Sequence, residues 1–278
     1  MTAPEAPVGR LLVCPTPIGN LADVTLRVLE ELAGADAIAC EDTRHTRKLL
    51  ERHGILAKEL VSFHEHNEAA RARELCERIR NGARLALVSD AGTPLVSDPG
   101  YELLRACLRE GLSVEVLPGP SAALTALVAS GLPAARWCFG GFLPRRRGEL
   151  EALLARESDT LVAFESPRRL ASTLAVLASL DPLRPVAVCR ELTKLHEEVV
   201  RGAAGELAAR YEDAEPRGEI VLVIGGADAA VADRDAALDA ARELVEAGAR
   251  PRRAVTVVSR LTGVAANDLY RELTGADG

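Results

Sequence analysis

Short apolar runs alternate with stretches of helical periodicity over the first 120 residues. The apolar runs predict strands at residues 11–14, 37–40, 85–89 and 113–117. The helical periods predict helices at residues 25–33, 43–53, 68–80 and 99–109, followed by one at 120–130. Strands that alternate with helices in this way are typical of a mainly parallel sheet with helices on both of its faces.

The same alternation continues in a second unit that begins near residue 137. Its predicted strands are 160–164, 186–189 and 220–224, and its predicted helices are 148–156, 168–180 and 203–211. Residues 225–235 are rich in Ala, Asp and Gly, which is typical of a linker. Three short helices are predicted after it, at residues 236–247, 251–261 and 267–273.

These elements predict an α/β protein of three parts. Two α/β domains are expected over residues 10–119 and 120–226, with a small helical domain over residues 233–276. The three short helices have an Arg-rich centre, a pattern that resembles a helix-turn-helix unit. A helical cap that packs on the second α/β domain is the structural alternative.

The composition is that of an ordinary globular protein without a membrane span. Apolar residues make up 48% of the 278 positions, and no apolar run approaches the roughly 20 residues of a membrane span. The N-terminal residues lack a signal-peptide pattern, and the six cysteines form no C-x-x-C pair, so free thiols in a reducing compartment are expected. We therefore expect a soluble cytoplasmic protein. The net charge of −7 argues mildly against a nucleic-acid binder.

The most informative stretch is the strand and turn at residues 86–100. An apolar run ends there in a polar turn rich in Gly and Pro, and open α/β sheets bind ligands at the carboxyl ends of such strands. The turn contains Asp90 and Asp98 but no Lys or Arg, so a polar or cationic small molecule suits it better than a bare polyphosphate. Asp98 is expected to cap a helix that begins at Pro99.

Other loops that follow predicted strands contain reactive residue types, and each also has a purely structural interpretation. Glu41 and Asp42, followed by Arg44, can organise hydroxyl groups or simply cap a helix. His64 and His66 would share one face of an extended segment. Because no further cluster of Cys or His supplies metal ligands, no metal is expected and a polar loop that faces the substrate is favoured.

Basic residues are clustered despite the acidic net charge. Phe142 precedes the run Arg145–Arg147, and an aromatic ring beside arginines suits nucleotide stacking and phosphate contact, although a solvated basic hinge is the structural alternative. Arg168-Arg169 and the tail segment 250–271 are further clusters. Lys194 is one of only three lysines, and it can activate a hydroxyl if its pKa is depressed or contact a phosphate.

Taken together, these motifs resemble one family. In chain order they are T-P-I-G-N-L-x-D-x-T, E-D-T-R, S-F-H-E-H-N-E, S-D-A-G-T-P-L-V-S-D-P-G, P-G-P-S-A, F-x-G-F-L-P, F-E-S-P-R-R and R-E-L-T-K-L-H-E-E. The series resembles the bacterial small-subunit ribosomal RNA methyltransferase I family of the tetrapyrrole methylase superfamily. The resemblance covers about residues 10 to 226, and the tail is similar to the family's C-terminal helical domain.

The resemblance implies a cofactor, a reaction and a set of cofactor-binding residues. It implies S-adenosylmethionine in the cleft between two α/β domains, usually in a homodimer, and 2′-O-methylation of a cytidine in the decoding region of 16S ribosomal RNA. No G-x-G-x-x-G motif occurs, and C-P-T-P-I-G-N replaces the G-x-G-P-G-D form of tetrapyrrole enzymes, which disfavours a corrin-type substrate. By analogy with the superfamily, the cofactor site is expected to contain Pro17, Asp90, Ala91, Gly92, Leu95, Ser121, Ala122, Gly202 and Pro216.

Two further sets of residues complete the hypothesis. Around the reacting ribose we place a group of polar side chains, without deciding which one is the general base: Glu41, Asp42, Arg44, His64 and Lys194. RNA phosphates in the small ribosomal subunit are expected to contact Arg145, Arg146, Arg147, Arg168, Arg250, Arg252 and Arg253.

Two other functions stay open from the sequence. One is a small-molecule methylase that acts on a tetrapyrrole. The other is a nucleic-acid-binding regulator, in which the helical tail binds duplex DNA and the α/β body senses a ligand. The polar loops at 41–44 and 64–68 argue against the regulator, because a sensor does not need both of them.

Overall fold

The computed structural model describes residues 9–56, 59–64, 66–214, 216–227, 234–262, 264 and 266–274. Its first five strands are β1 (Arg10–Val13), β2 (Ala37–Cys40), β3 (Leu60–Ser62), β4 (Arg84–Leu87) and β5 (Ser113–Val116). The helices between them are α1 (Leu26–Gly34), α2 (Thr43–Arg52), α3 (Glu68–Arg80) and α4 (Tyr101–Arg109). The strands form one fully parallel sheet in the order β3-β2-β4-β1-β5, which confirms the predicted architecture.

The strands of this sheet are buried on both faces, because helices cover each face. Alternate residues of β1 point to opposite sides. Leu11 and Val13 pack into a core with α3 and α4, while Leu12 packs with α1 and α2. The sequence pattern does not predict β3, since three residues are too few to give a period.

The second sheet is mixed rather than parallel. After α5 (Ala122–Ser130) come β6 (Trp137–Phe142), α6 (Arg147–Arg156), β7 (Thr160–Glu165), α7 (Leu170–Leu180), β8 (Pro185–Arg190), β9 (Glu198–Ala203), α8 (Ala204–Tyr211) and β10 (Ile220–Ile224). The order is β6-β7-β10-β8-β9. Only β6 and β7 are parallel, while the β7–β10, β10–β8 and β8–β9 pairs are antiparallel. The sequence pattern predicts neither β6 nor β9.

The two faces of the second sheet have different partners. Helices α6, α7 and α8 cover one face with the larger core, and α5 covers the other. Ile18, from the loop after β1, packs into the core under α5 together with Ala126 and Val221. The two sheets are therefore joined through an apolar contact as well as through the chain.

The tail forms three helices close to their predicted positions: α9 (Arg234–Glu246), α10 (Pro251–Thr262) and α11 (Ala266–Thr274). Among the described residues, the buried cluster of the tail consists of tail residues alone, including Leu238, Val258 and Leu269. The helices are thus held by one another, which argues against the cap alternative. Most of the predicted linker, residues 228–233, lies outside the described residues. The domain limits and the helix-turn-helix resemblance stay predictions.

One helix cap differs from expectation, and a second agrees with the structural interpretation of its loop. Helix α4 begins at Tyr101, its N-cap is Gly100 with φ 134°, and Asp98 does not cap it. The carboxylate of Glu68 accepts the backbone N–H groups of Gly100 and Glu102 instead. Helix α2 is capped by Asp42.

All six cysteines are free thiols, as expected, and five of them are buried. Burial raises the pKa of Cys14 and of Cys107 to about 12, so these thiols stay protonated at neutral pH. None of the helices in the described ranges has the length and apolar content that crossing a bilayer requires.

Candidate active site

A cavity of about 360 Å³ lies between the two sheets. From the first α/β unit it is lined by Ile18, Ala91, Gly92, Thr93, Val96, Ser97 and Asp98. From α5 and the second sheet it is lined by Ser121, Ala122, Ala123, Phe142, Phe164, Glu165, Ser166, Pro167, Cys189, Leu192, Gly218, Glu219, Ile220 and Val221. A volume of this size is typical of a small-molecule site.

The antiparallel placement of β10 explains which loops meet at the cavity. Ile220, the first residue of β10, lies opposite Glu165 at the end of β7 and opposite Arg190 at the end of β8. The start of β10 therefore reaches the same edge as the ends of its neighbours, and Gly218 and Glu219 enter the lining there.

Hydrogen bonds hold the loops of the first sheet in place. Thr16 and Gly92 exchange two backbone hydrogen bonds of 2.8 and 2.9 Å, and the Thr16 hydroxyl donates to the Ser89 carbonyl at 3.0 Å. The Thr93 hydroxyl donates to the carbonyl of Pro120 at 3.2 Å, which fixes the turn relative to the start of α5. Ala91 and Gly92 thus present backbone to the cavity in a fixed position.

Backbone strain is concentrated beside the cavity. In the described chain, the non-glycine residues with positive φ are Leu95 (72°), Ser97 (67°), Glu191 (51°) and Thr193 (65°). Each such residue costs about 1 kcal/mol or more, and it persists only where the surroundings fix it. All four lie on two loops that contribute Ser97 and Leu192 to the lining.

Asp98 is a half-buried carboxyl group in the cavity wall. Burial, followed by the negative charge of Glu41, raises its pKa to about 6, and Asp90 adds to the increase. A hydrogen bond with Ser89 opposes these effects. Asp90 in turn accepts the backbone N–H of Asp42 at 3.1 Å, which ties the end of β2 to the end of β4.

Asp42 and Arg44 form a compact pair at the start of α2. The Asp42 carboxylate accepts the backbone N–H of Arg44 at 2.8 Å and its Nη2 at 2.9 Å. These hydrogen bonds lower the pKa of Asp42 to about 2, and the bond from the Arg44 side chain has the largest effect. Asp42 is therefore a helix cap and a weak base, while the Arg44 side chain is 86% exposed.

Lys194 bridges two carboxylates at the junction where the loop after β1 meets the loop after β8. Its ammonium group lies 2.9 Å from an oxygen of Glu191 and 2.9 Å from one of Glu219. Burial acts to lower the pKa of Lys194, but the hydrogen bonds with Glu219 and Glu191 outweigh it, and the pKa is raised. The side chain is thus held as an ammonium ion, which does not fit a general base.

Two glycines allow this junction to form. A Cβ on Gly19 would lie 2.5 Å from Cγ of Lys194 and 2.7 Å from Oγ1 of Thr193, so only a glycine permits the approach. Gly218 has φ 94°, and a Cβ there would overlap the carboxyl group of Glu191. The loop after β1 therefore rests directly on the loop after β8.

His64 lies after β3, outside the cavity lining. Its Nε2 is 3.2 Å from Nδ2 of Asn67, and its buried Nδ1 has no hydrogen-bond partner among the described residues. Its ring centroid is 6.0 Å from that of His66. Across the residues that the structure describes, no group of three or more His, Cys, Asp or Glu is placed to hold a metal ion.

The residues expected at the cofactor site fall into three groups. Ala91, Gly92, Ser121 and Ala122 line the cavity. Pro17, Asp90 and Leu95 adjoin lining residues without lining it themselves, and Pro216 lies two residues before Gly218.

Gly202 is placed differently. It pairs with Val186 on β8, whereas the lining residue Cys189 is three residues further along that strand. At about 3.3 Å per residue this separation is roughly 10 Å, so Gly202 lies away from the cavity.

The sequence analysis does not place several of the cavity-lining residues at the cofactor site. The F-E-S-P stretch at the end of β7 supplies Glu165, Ser166 and Pro167, and its position at the carboxyl end of a strand is the available indication. Glu165 is 3% exposed, and its carboxylate accepts the N–H of Ser166 and the hydroxyl of Thr173.

Four of the expected RNA-binding arginines lie at one edge of the second sheet. Arg145, Arg146 and Arg147 follow β6, and Arg168 follows the parallel neighbour β7. All four are exposed. Arg169 links the two loops, because its guanidinium donates to the carbonyls of Leu143 at 3.0 Å and Pro144 at 2.5 Å.

The tail arginines are exposed near the start of α10. They are Arg250, Arg252 and Arg253. The Arg252 guanidinium lies 5.6 Å from the ring centroid of Tyr270.

Comparison with known proteins first gives the class. Residues 10–208 match the tetrapyrrole (corrin/porphyrin) methylase family. The fold is similar to that of uroporphyrin-III C-methyltransferase from Thermus thermophilus, with a TM-score of 0.58 and 25% identity, over 78% of this chain and 94% of that one. A cobalt precorrin-4 methyltransferase shares the fold with a TM-score of 0.59 and 18% identity, over 81% and 98% of the two chains.

Curated relatives then narrow the class. The ribosomal RNA small subunit methyltransferase I of Escherichia coli O157:H7 is 45% identical over 271 residues, covering 95% of this chain and 94% of the relative. The protein of the same name from Mycobacterium tuberculosis strain H37Rv is 47% identical over 268 residues, covering 94% and 93%. The chain belongs to the ribosomal RNA small subunit methyltransferase I family, and it is a methyltransferase.

Proposed function

We propose that this protein transfers the methyl group of S-adenosylmethionine to the 2′-hydroxyl of a cytidine in the decoding region of 16S ribosomal RNA. The observation that carries the proposal is a small-molecule cavity between two sheets that opens beside a cluster of exposed arginines. The names of the curated relatives support small-subunit ribosomal RNA as the substrate. The fold relative from Thermus thermophilus has been solved with S-adenosylhomocysteine, which supports the cofactor.

The lining fits this cofactor. Small residues stand where the cofactor would approach the backbone, and a Cβ on Gly92 would already lie 3.4 Å from Ile18. The carboxyl group of Asp98 suits a cationic sulfonium, and no Lys or Arg of the described chain lines the cavity. Ala91, Gly92, Ser121 and Ala122 are the residues proposed to hold the cofactor.

When bound, S-adenosylmethionine supplies an electrophilic methyl group. The residues of this chain must hold the ribose hydroxyl in line with that group, exclude water and accept the hydroxyl proton. The loops at 95–97 and 191–193, each with positive φ at two non-glycine residues, contribute Val96, Ser97 and Leu192 to the two walls of the cavity.

We assign the role of proton acceptor to Asp98. Asp42 is a weak base because Arg44 lowers its pKa, and Lys194 is held as an ammonium ion. Glu165 has both carboxylate oxygens engaged in hydrogen bonds. Asp98 is a cavity-lining carboxyl group that pairs with no Lys, Arg or His among the described residues.

The other residues proposed around the ribose have supporting roles. Glu41 and Asp42 lie beside Asp98 and Asp90 at the ends of β2 and β4, and Arg44 is exposed for contact with RNA. Lys194 holds the loop after β8 against Glu219. His64 lies further out, where it would contact RNA rather than the reacting atoms.

The substrate is proposed to be the small ribosomal subunit, and the site of action the cytoplasm. Phosphates at separate places on the particle would contact the tail arginines and the four arginines that follow β6 and β7, which are Arg145, Arg146, Arg147 and Arg168. A homodimer is also proposed, supported by the apolar side chains of Leu124 and Val128 on α5, which are 50% and 79% exposed.

The test is methyl transfer. Labelled S-adenosylmethionine is incubated with the protein and purified small subunits that lack the modification, and the digested RNA is resolved into nucleosides. We expect label in 2′-O-methylcytidine. Cofactor binding without transfer to subunits or naked RNA would favour a small-molecule methylase, and ligand-dependent binding of duplex DNA without turnover would favour the regulator.

A further inference from the structure

A bulge interrupts β6 just before it reaches the cavity. Phe139 lies opposite Val162 of β7, and Phe142 lies opposite Phe164, so three steps along β6 match two steps along β7. Gly141 has φ 60°, and a Cβ on Gly140 would lie 3.0 Å from the Leu161 side chain. The two adjacent glycines allow the extra residue to be accommodated.

The bulge changes the direction in which Phe142 points. Side chains alternate between the faces of a regular strand, so Phe139 and Phe142, three residues apart, would lie on opposite faces. Instead both rings pack edge-on against Phe164, with ring centroids 5.1 and 5.4 Å from it. Phe142 consequently lines the cavity with 66% of its surface exposed.

Exposed arginines lie on the loop that follows the ring and on the neighbouring loop, and two of them, Arg146 and Arg147, pair with Glu149 and Glu151. The next residues along the chain lead to Arg145–Arg147, and Arg168 lies on the neighbouring loop. Arg169 fixes that arrangement by its hydrogen bonds to the carbonyls of Leu143 and Pro144. Arg145 and Arg168 form no ion pair with any residue in the described ranges.

We propose that Phe142 is a stacking platform for an RNA base at or next to the methylated nucleotide. This inference rests on the proposed function and adds a specific contact to it. Proteins that hold single-stranded RNA combine an aromatic ring, on which a base stacks, with cations that contact the flanking phosphates. The bulge places both elements at the mouth of the cavity, where a ribose must stand for its hydroxyl to reach the site.

Stacking requires a flat ring, and this requirement gives the test. The variants are Phe142→Ala, Phe142→Leu and Phe142→Trp. Leu183→Ala is the matched control, because Leu183 is 81% exposed and precedes β8 at the end of the second sheet opposite the cavity. For each protein, kcat and KM on purified small subunits, equilibrium binding to those subunits, cofactor affinity and oligomeric state are measured.

We expect Phe142→Ala and Phe142→Leu to lower kcat/KM by about 10- to 100-fold, the range that loss of one stacked base gives. Phe142→Trp should retain most of the activity. Cofactor affinity and oligomeric state should match the wild type in all of them, and Leu183→Ala should behave as the wild type.

Three results would overturn the inference. Full activity of Phe142→Leu would show that the side chain contributes apolar packing and not stacking. Loss of cofactor affinity in Phe142→Ala would show that the ring contacts the cofactor. A changed oligomeric state would show that the ring contacts a second copy of the chain. Failure of the proposed function gives a different result. If the wild type binds subunits, the Phe142 variants bind them more weakly, and the wild type transfers no methyl group, the reaction is overturned and the stacking contact is kept.

Discussion

One carboxylate oxygen of Glu68 accepts the backbone N–H of Gly100 at 2.9 Å and that of Glu102 at 2.8 Å. The first residue of α3 therefore caps α4, which is distant in sequence. This cap closes the strained turn that carries Leu95, Ser97 and Asp98. A group outside the cavity lining thus holds the backbone that directly follows one cavity wall.

Replacement of Glu68 by Gln or Ala should weaken both the fold and the site. Loss of a side-chain cap costs about 1 kcal/mol, and we expect that loss in the free energy of unfolding together with reduced cofactor affinity. Urea denaturation and calorimetry of cofactor binding measure the two effects. The control is Glu77→Gln, at an exposed position on the same helix. Equal cofactor affinity in wild type and Glu68→Ala would show that the turn holds without the cap.

Gly218→Ala should be more damaging than an ordinary glycine substitution. The new Cβ would overlap Glu191 and would also force a positive φ on alanine, so the pair with Lys194 must shift. Gly54→Ala is the matched control, since Gly54 has φ 66° but nothing within 4 Å of the new Cβ. We expect about 1 kcal/mol of destabilisation for Gly54→Ala and clearly more for Gly218→Ala, with methyl transfer abolished only in the latter. Equal denaturation midpoints would contradict this explanation.

Asp98→Asn should remove a pH dependence. Wild-type kcat should rise with pH through about 6, the pKa of Asp98, and then level off, whereas the variant should be about 100-fold or more slower and lack that rise. Asp213→Asn, at an exposed position after α8, is the control. An unchanged profile in Asp98→Asn would remove Asp98 from the reaction.

The same pKa has a consequence for stability. The folded protein keeps the Asp98 proton up to about pH 6, while the unfolded chain releases it near 4, so this group lowers stability as the pH rises from about 4 to 6. Asp98→Asn should therefore be more stable than wild type above pH 6 and gain nothing below pH 4. Urea titrations at about pH 4 and about pH 7.5 test the sign.

Lys194→Ala should act through the loop and not through proton transfer. It leaves Glu191 without its cation, and because the pair is partly exposed we expect a decrease of about 1 kcal/mol in unfolding free energy. Lys194→Arg should preserve much of the activity, and Lys48→Ala serves as an exposed control. If kcat of the wild type rises with pH near neutrality, and this rise is absent only in Lys194→Ala, Lys194 would instead be the base.

The tail should bind RNA without supporting the α/β body. Changing Arg250, Arg252 and Arg253 together to Ala should weaken binding to subunits. The slope of the logarithm of the binding constant against the logarithm of the salt concentration should decrease by about one for each phosphate that is no longer neutralised. The thermal midpoint of the body should not move, because the tail core contains only tail residues among those described. Arg73→Ala with Arg105→Ala, exposed on α3 and α4, is the control. Unchanged affinity would make the tail a structural appendage.

The parallel sheet could be predicted from the sequence, whereas much of the second sheet could not. Apolar runs such as 11–14 and 37–40 stand out because both faces of those strands are buried. Edge strand β9 is partly exposed and gives no such run. A mixed sheet also reverses the end at which a strand meets the ligand, so Gly218 and Glu219, which precede β10, could not be placed at the cavity from their position in the chain.

The site residues show the same division. Ala91 and Gly92 line the cavity because they follow a parallel strand, which the sequence indicates directly. The local pattern Asp98-Pro99 favoured a helix cap, but the cap comes from Glu68, a contact that sequence spacing does not reveal. The exposure of Phe142 depends on a bulge, and the raised pKa of Lys194 depends on Glu191 and Glu219. Neither feature can be read from the sequence without the three-dimensional structure.

The position of β10 has a consequence for how the molecule is made. All five strands of the first sheet lie within residues 10–116, so that sheet can assemble while the rest is still being translated. The second sheet has its last strand at the centre, between β7 and β8, and these two strands have no direct partner in each other. Until residues 220–224 are inserted, the half-built sheet is split in two, and Ile220 and Val221 are missing from the cavity wall. Methyl-transfer competence should therefore appear abruptly once residues 220–224 have been inserted, and a chain arrested before residue 220 should hold a folded first sheet with no working site.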